Sequence, residues 1–202
     1  MVDRQKGGPM ERPPLSKQFL LETEDKLDPI FLLKRAKWYK DNDIVLKLGV
    51  EAQEINIDTN SLALSSGDKL TFDKMVLATG ARPRLLPGCA NLINAFVLRQ
   101  PDDAVAIRET ARKAKSAVII GGGYIGLEVA ASFRQMGLEV SVIEAAKRLL
   151  ARVASPPIAN SLLNLHQKHG VAIHTDVSVK ELVIDQQQFS AVKLTDGSII
   201  EG

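Results

Sequence analysis

The chain has 202 residues and a formal net charge of +2, with 45% hydrophobic and 25% charged residues. This balance is that of an ordinary globular protein and excludes disordered, collagen-like and disulfide-stapled chains. The near-neutral charge argues against a dedicated nucleic-acid-binding protein. The apolar runs are far shorter than the roughly 20 residues of a membrane-spanning helix, and the N-terminus lacks a signal-peptide pattern. Because the single cysteine, Cys89, permits no internal disulfide, we expect a cytoplasmic protein.

The first hundred residues predict short helices and an antiparallel sheet. Residues 1–15 are rich in Gly and Pro and are expected to be loop, with a helix beginning at Ser16. A second helix is expected to begin at Asp28 and to end near Tyr39. Strands are predicted at 44–48, then as a meander at 52–57, 61–64 and 69–72, and as a buried apolar run at 74–78.

From residue 101 the pattern changes to alternating helices and strands, after a connection over 81–100. Helices are predicted at 102–113, 125–136 and 158–169, and strands at 116–120, 139–143 and 171–174, followed by a second meander over 177–200. Strands separated by helices of this length indicate an α/β fold whose parallel sheet has helical crossovers.

The two meanders resemble each other in sequence. Residues 54–58 (EINID) are similar to 181–185 (ELVID), and each copy has a glycine turn before its last strand. This is either an internal repeat or a chance similarity of two short meanders. A repeat implies a missing strand–turn–helix–strand unit before the first copy and a missing closing strand after the second. The chain would then be an internal piece of a longer two-domain architecture.

The strongest local signal is a glycine-rich turn between a predicted strand and a predicted helix. Gly121, Gly123 and Gly126 form a G-x-G-x-x-G sequence. Its glycines would make the tight turn, leave room for a pyrophosphate, and let helix and strand pack closely. The diphosphate would lie at the helix N-terminus, where free N–H groups favour an anion. The alternative is a glycine turn that serves packing alone.

An acidic residue, Glu144, ends the next predicted strand, 23 positions after Gly121. A carboxylate there bonds the adenine ribose 2′-hydroxyl and repels a 2′-phosphate, which favours NAD over NADP. Lys147 and Arg148 follow closely and leave NADP open.

Two further features have a structural and a functional interpretation. Glu128 lies two residues after the last glycine, in the first turn of the predicted helix, where it would interact favourably with the helix dipole. The string RPPLSK at 12–17 has prolines that stiffen the chain and Ser16 as a helix cap. Arg12 and Lys17 would then either face an anionic or electron-rich partner or belong to a solvated basic loop.

Other reactive residue types do not form a convincing site. The three histidines, His166, His169 and His174, lack metal-ligand spacing, and Cys89 has no reactive context. The sequence has neither a G-x-S-x-G nucleophile elbow nor a P-loop lysine.

Four segments, in order along the chain, identify a family. They are RPPLSK at 12–17, ATGARP at 78–83, GGGYIGLE at 121–128 and EAAKRLLARV at 144–153. Together they resemble the FAD-dependent ferredoxin reductases, the putidaredoxin and rubredoxin reductase group of the pyridine nucleotide-disulfide oxidoreductase superfamily. The similarity covers nearly the whole chain after about residue 10.

The resemblance implies a fold with two dinucleotide-binding domains, each a Rossmann-like parallel sheet with a β-meander. Residues 1–100 would be part of the FAD domain, and 101–202 would be the NAD(P) domain without its last strand. The implied activity is electron transfer from NADH through FAD to a ferredoxin or rubredoxin type iron–sulfur protein. No nucleic acid or membrane partner is implied.

The resemblance also assigns site residues by position. Lys17 would lie near the flavin and pair with Glu128 beside the nicotinamide, so that the two gate access to the flavin rather than transfer a proton. A Lys17→Ala protein with unchanged flavin affinity and reduction rate would contradict this role. The residues expected at FAD are Arg12, Lys17, Ala52, Ala78, Thr79, Gly80 and Arg99, and those expected at NAD are Gly121, Gly123, Ile125, Gly126 and Glu144.

The sequence departs from the family pattern in several places. The N-terminal G-x-G-x-x-G of the FAD domain, its acidic ribose-binding residue, the second FAD segment and the C-terminal domain are absent. The alternative function is therefore a truncated NAD(H)-binding fragment without turnover of its own, with poor solubility. Disulfide reductases of the same superfold are disfavoured, because they need a redox-active cysteine pair.

Overall fold

The computed structural model describes residues 1–22 and 31–202. The helices are a 3-10 turn at Pro13–Ser16 and α1 (Gln18–Leu21), α2 (Ala36–Asp41), α3 (Pro101–Ala111), α4 (Tyr124–Gln135) and α5 (Pro156–Lys168). The strands are β1 (Val2–Asp3), β2 (Lys47–Leu48), β3 (Ala52–Asn56), β4 (Ser61–Leu64), β5 (Lys69–Thr71), β6 (Ser116–Ile120), β7 (Glu139–Glu144), β8 (Val171–Thr175), β9 (Val179–Asp185), β10 (Gln188–Leu194) and β11 (Ile199–Glu201). Among these described residues, no helix has the length and apolar character needed to cross a bilayer.

The chain divides into two compact units. Of the described residues, the first unit contains 1–11 and 31–81, and the second contains 12–22 and 82–202. The RPPLSK segment therefore belongs to the second unit, together with all residues after 81. These compact units are distinct from the predicted FAD domain at 1–100 and NAD(P) domain at 101–202, which remain a prediction.

The first unit is built on the predicted meander. Strands β3, β4 and β5 pair antiparallel in that order, with Ile55 opposite Leu62 and Leu62 opposite Leu70. The first and last residues of the central strand β4, Ser61 and Leu64, are buried. Strands β1 and β2 form a separate parallel pair.

Three predictions for the first unit are wrong in whole or in part. Residues 74–78 form no strand, and Val76 is 90% exposed. The predicted strand at 44–48 is reduced to β2, because 44–46 pair with no described strand. Helix α2 begins only at Ala36, and the expected start at Asp28 lies outside the described residues.

The second unit contains the predicted parallel sheet. Its strand order is β6-β7-β8, and both pairings are parallel, which confirms the crossover prediction. Central strand β7 is the most buried, with Val142 fully inaccessible. The second meander, β9-β10-β11, is antiparallel, and Val192 and Leu194 pack with Ile143 of the sheet. Burial of this cluster joins the meander to the sheet.

Contacts between helices α1 and α3 fix the position of the RPPLSK segment at 12–17. Arg108 of α3 is fully buried, and its guanidinium lies 4.8 Å from the centre of the Phe19 ring of α1. The same guanidinium donates a hydrogen bond of 3.4 Å to the Phe19 carbonyl. A buried cation on an aromatic face is a directional contact, so it fixes α1 and the preceding 3-10 turn against α3.

Candidate functional site: the glycine turn and the Lys17–Glu128 pair

The glycine turn between β6 and α4 has three residues with distinct requirements. Gly121 has φ of +111°, a left-handed conformation that glycine adopts without a steric penalty. A Cβ on Gly126 would lie 2.1 Å from the Gly121 carbonyl oxygen, so only glycine fits there. A Cβ on Gly123 would meet nothing within 4 Å. The turn therefore leaves open space at Gly123, at the N-terminus of α4.

Gly122, the middle glycine, was not singled out by the spacing. Its Cβ would lie 2.5 Å from Leu149 Cδ2, and Leu149 is buried. The Gly122 carbonyl accepts a hydrogen bond of 3.0 Å from the Leu150 N–H. The segment after β7 therefore packs directly on the glycine turn. In the sequence, the run of three consecutive glycines at 121–123 is the signal that could have indicated this close packing at Gly122.

Glu144 is bound to the turn through its carboxylate. Its Oε2 accepts the Gly122 N–H at 2.8 Å, and its Oε1 accepts the Ala146 N–H at 2.7 Å. Each carboxylate oxygen can accept a second hydrogen bond, so these contacts leave room for a hydroxyl donor. Arg148 is turned to its own loop, where it donates to the carbonyls of Ala151 and Ala154. Ile125 is half exposed in the first turn of α4.

Lys17 and Glu128 form an ion pair. The distance from Lys17 Nζ to Glu128 Oε2 is 2.8 Å, and the two side chains are 48% and 30% exposed. Helix α4 begins at Tyr124 and has no acidic residue in its first turn. The predicted first-turn location of Glu128 is therefore wrong: it is the fifth residue of the helix, where Lys17 and not the helix dipole is its partner.

Ser16 is also placed differently from the prediction. It ends the 3-10 turn and caps neither helix with its side chain. Its hydroxyl instead lies 2.5 Å from Glu128 Oε2. The Ser16 carbonyl accepts a 2.8 Å hydrogen bond from the buried hydroxyl of Ser132, also on α4. Because these residues are more than 100 positions apart, no local pattern in the sequence could have indicated the contacts.

Arg12 and Arg99 are in direct contact within the second unit. Arg12 Nη1 donates to the Arg99 carbonyl at 2.6 Å and to Gln100 Oε1 at 3.1 Å. The Arg99 N–H donates to Asp103 Oδ2 at 2.8 Å. Arg99 Nε is buried and has no hydrogen-bond partner among the described residues. An unsatisfied buried donor of this kind is a position where an acceptor group of a ligand fits.

The other residues expected at FAD belong to the first unit. Ala52 is exposed at the start of β3, where it pairs with Leu64. Ala78, Thr79 and Gly80 lie in an exposed non-strand segment, and Gly80 has φ of +72°. The predicted FAD residues are thus divided between the two units.

A cavity of about 1040 Å³ lies in the second unit beside the glycine turn. The segment 83–98, predicted only as a connection, lines it together with apolar residues of β6 and α4, such as Val118 and Phe133. Cys89 also faces it, and burial raises the pKa of its thiol. A thiol held in its neutral form is a poor nucleophile. Within 1–22 and 31–202, no group of histidine, cysteine and carboxylate side chains could hold a metal.

The sequence profile of the pyridine nucleotide-disulphide oxidoreductases matches residues 1–202. The chain belongs to this family. The family resemblance predicted from the four segments is confirmed.

Solved structures of family members show the same fold. The ferredoxin reductase for the CYP199A2 system of Rhodopseudomonas palustris superimposes with a TM-score of 0.93 at 34% identity, covering 99% of this chain and 49% of that one. Putidaredoxin reductase, in its covalent complex with putidaredoxin, gives 0.92 at 34% identity, with 100% and 49% covered. NADH:rubredoxin oxidoreductase from Clostridium acetobutylicum gives 0.74 at 26%, with 87% and 46% covered. The chain spans about half the length of these relatives, and the predicted fold class is confirmed.

Proposed function

We propose that this chain is part of a flavoprotein reductase that passes electrons from NADH through FAD to a ferredoxin or rubredoxin type iron–sulfur protein. Membership in the pyridine nucleotide-disulphide oxidoreductases gives the reaction class. The acceptor class is proposed from relatives that are named for ferredoxin, putidaredoxin and rubredoxin.

The observation that carries this proposal is the ion pair between Lys17 and Glu128. Lys17 comes from the RPPLSK segment and Glu128 from the helix that follows the glycine turn, 111 positions later. A half-exposed pair of this type contributes only about 0.2–1 kcal/mol to stability. The ion pair is therefore expected to serve function more than stability, with Lys17 and Glu128 gating access to the flavin.

The described residues fit both cofactors. NADH would be held by the open space at Gly123, the free N–H groups at the start of α4, and the remaining lone pairs of Glu144. FAD would be held with help from the unpartnered Nε of Arg99, a residue whose main-chain carbonyl accepts a hydrogen bond from Arg12. The chemistry supplied by the bound cofactors is hydride transfer from NADH and release of single electrons.

The alternative, an NAD(H)-binding fragment without turnover, is favoured by a different observation. The glycine turn, Glu144 and the loop that packs on them all lie within the second unit. The predicted FAD residues are divided between both units, and residues 74–78 pair with no described strand.

The first experiment measures retention of FAD by the 202-residue chain. The chain is incubated with FAD and desalted, and its visible absorption spectrum is recorded. A flavin band that is bleached by NADH supports the reductase. A colourless chain that still binds NADH supports the fragment.

The second experiment tests the nucleotide site with a matched pair of glycine variants. Gly123→Ala adds a methyl group in the proposed pyrophosphate space, with nothing of the chain within 4 Å. We expect a loss of at least about tenfold in NADH affinity, from the loss of close backbone approach. The melting temperature should fall by no more than about 4 °C, because Gly123 is the N-cap of α4 and alanine is a poorer N-cap than glycine. Gly7→Ala, where the nearest heavy atom is 3.7 Å away in the first unit, should leave the affinity unchanged. Equal NADH affinity in both variants would contradict nucleotide binding at this turn.

A further inference from the structure

Ser16 makes an unusually direct contact with the ion pair. Its side chain is buried, and its hydroxyl lies 2.5 Å from Glu128 Oε2. The same hydroxyl is 3.3 Å from the Pro13 carbonyl, a longer and neutral alternative. Because a serine hydroxyl has one proton and hydrogen bonds to charged acceptors are stronger, the proton is donated to Glu128.

A second serine fixes the backbone of the same residue. Ser132 lies one helical turn after Glu128 on α4, and its buried hydroxyl donates to the Ser16 carbonyl at 2.8 Å. Residues four apart on a helix share one face. Helix α4 therefore holds Ser16 at two points, by a part-buried hydrogen bond to its side chain and a buried one to its main chain.

Lys17 alone would fix the carboxylate less well. Its side chain is 48% exposed, and its ammonium also donates to the Pro13 carbonyl at 3.1 Å. An exposed lysine is flexible and keeps alternative rotamers. Both contacts are made to Oε2 of Glu128, and no described residue donates a hydrogen bond to Oε1. Ser16 thus determines where Oε1 is presented.

We propose that Ser16 is the positioning residue of the Lys17–Glu128 pair. Its hydroxyl fixes the Glu128 carboxylate by a part-buried hydrogen bond, and the buried bond from Ser132 holds the Ser16 main chain in place. Ser16 does not contact the coenzyme in this role and acts through the carboxylate alone. The inference rests on the proposed function, in which Glu128 lies beside bound NADH.

The test on binding is a double-mutant cycle with NADH as the ligand. The dissociation constant is measured by fluorescence titration for the 202-residue chain, Ser16→Ala, Glu128→Gln and the double variant. Ser16→Ala should weaken binding about tenfold, as expected for loss of one hydrogen bond to a charged group. In the Glu128→Gln background the same change should alter binding less than about twofold, because Ser16 acts through that carboxylate. Additive effects would overturn the proposal.

Two further variants separate positioning from general structure. Ser16→Thr keeps the hydroxyl and should bind NADH closer to the parent chain than Ser16→Ala does. Ser178→Ala, a change at an exposed serine in the same unit, should leave binding unchanged. Loss of binding in Ser178→Ala, or no difference between the two Ser16 variants, would count against the role of the hydroxyl.

A cycle on unfolding needs no ligand and is independent of the proposed function. Urea unfolding of the same four proteins should show a coupling between Ser16 and Glu128 of at least about fivefold in the unfolding equilibrium constant. Coupling without NADH binding would support the contact and contradict the proposed function. An absent coupling would overturn the positioning role, whether or not the chain binds NADH.

Discussion

Gly126→Ala is the substitution with the most clearly determined effect. The added Cβ would lie 2.1 Å from the Gly121 carbonyl oxygen and 3.3 Å from Ile119 Cγ2. Carbon–oxygen contacts are ordinarily about 3.3–3.6 Å, so helix and turn would have to separate by about 1.2–1.5 Å. The turn resists this movement because the Gly121 N–H donates a 2.8 Å hydrogen bond to the Ile143 carbonyl of β7.

Overpacking of this kind costs about 1–3 kcal/mol, and a backbone obstacle that cannot rotate away places Gly126→Ala at the upper end. For a chain of this size, a loss of about 3 kcal/mol lowers the melting temperature by roughly 6–12 °C. Helix propensity acts in the opposite direction, since alanine in a helix interior is favoured over glycine by about 1 kcal/mol. The net loss is therefore about 2 kcal/mol, which lowers the melting temperature by roughly 4–8 °C.

The assay is thermal unfolding followed by circular dichroism. Gly123→Ala is the control in the same turn. Its Cβ meets no atom within 4 Å, so only the poorer N-cap is expected to lower its melting temperature, by less than the close contact in Gly126→Ala does. A Gly126→Ala chain that melts at or above the temperature of the parent would show that helix propensity, not close approach, governs this position. The close packing of α4 on the turn would then be refuted.

The remaining predictions concern Arg12 and His166. Arg12→Met removes the two hydrogen bonds that Nη1 donates to the Arg99 carbonyl and to Gln100, and it should cost about 1.5–3 kcal/mol in urea unfolding. Arg12→Lys keeps a cationic donor and should recover part of this loss; no recovery would contradict a stabilising role of these hydrogen bonds. Burial, and secondly the charge of His169, lower the pKa of His166. The neutral His166 side chain therefore contributes stability above pH ~6.5, and this contribution is lost as the pH falls below that value. His166→Gln should therefore lose less stability than the parent between pH 7.5 and 5.5, and identical losses in urea unfolding would contradict this.

The elements of the second unit could be predicted because their signals are local. Strand β6 has the predicted bounds, and α4 is shifted by only one residue from the predicted 125–136. Glycines mark the ends of these elements, and Gly137 has a positive φ directly after α4. Residues 74–78 had an equally clear apolar run, but a strand also needs a pairing partner, and no described strand supplies one. The hydrophobic pattern alone does not contain that requirement.

The candidate site was predictable to the extent that spacing determines it. The positions of Gly121, Gly123 and Gly126 indicated the turn correctly, because the steric demands of such a turn repeat at fixed intervals. The role expected of Ser16 as a cap was wrong, since Glu128, 112 positions away, takes the hydroxyl instead. Long-range polar contacts have no sequence period, so only the folded structure could show them.

The two proposed cofactors differ in how many of their predicted residues lie in the second unit. The contacts of the described residues that shape the glycine turn, such as those of Glu144 and Leu149, are made within the second unit. The unpartnered Nε of Arg99 lies in that unit as well, but Ala52 and residues 78–80 do not. The proposed NADH site therefore needs only the second unit to be folded. We expect the NADH affinity of this chain to be the same whether or not FAD is bound.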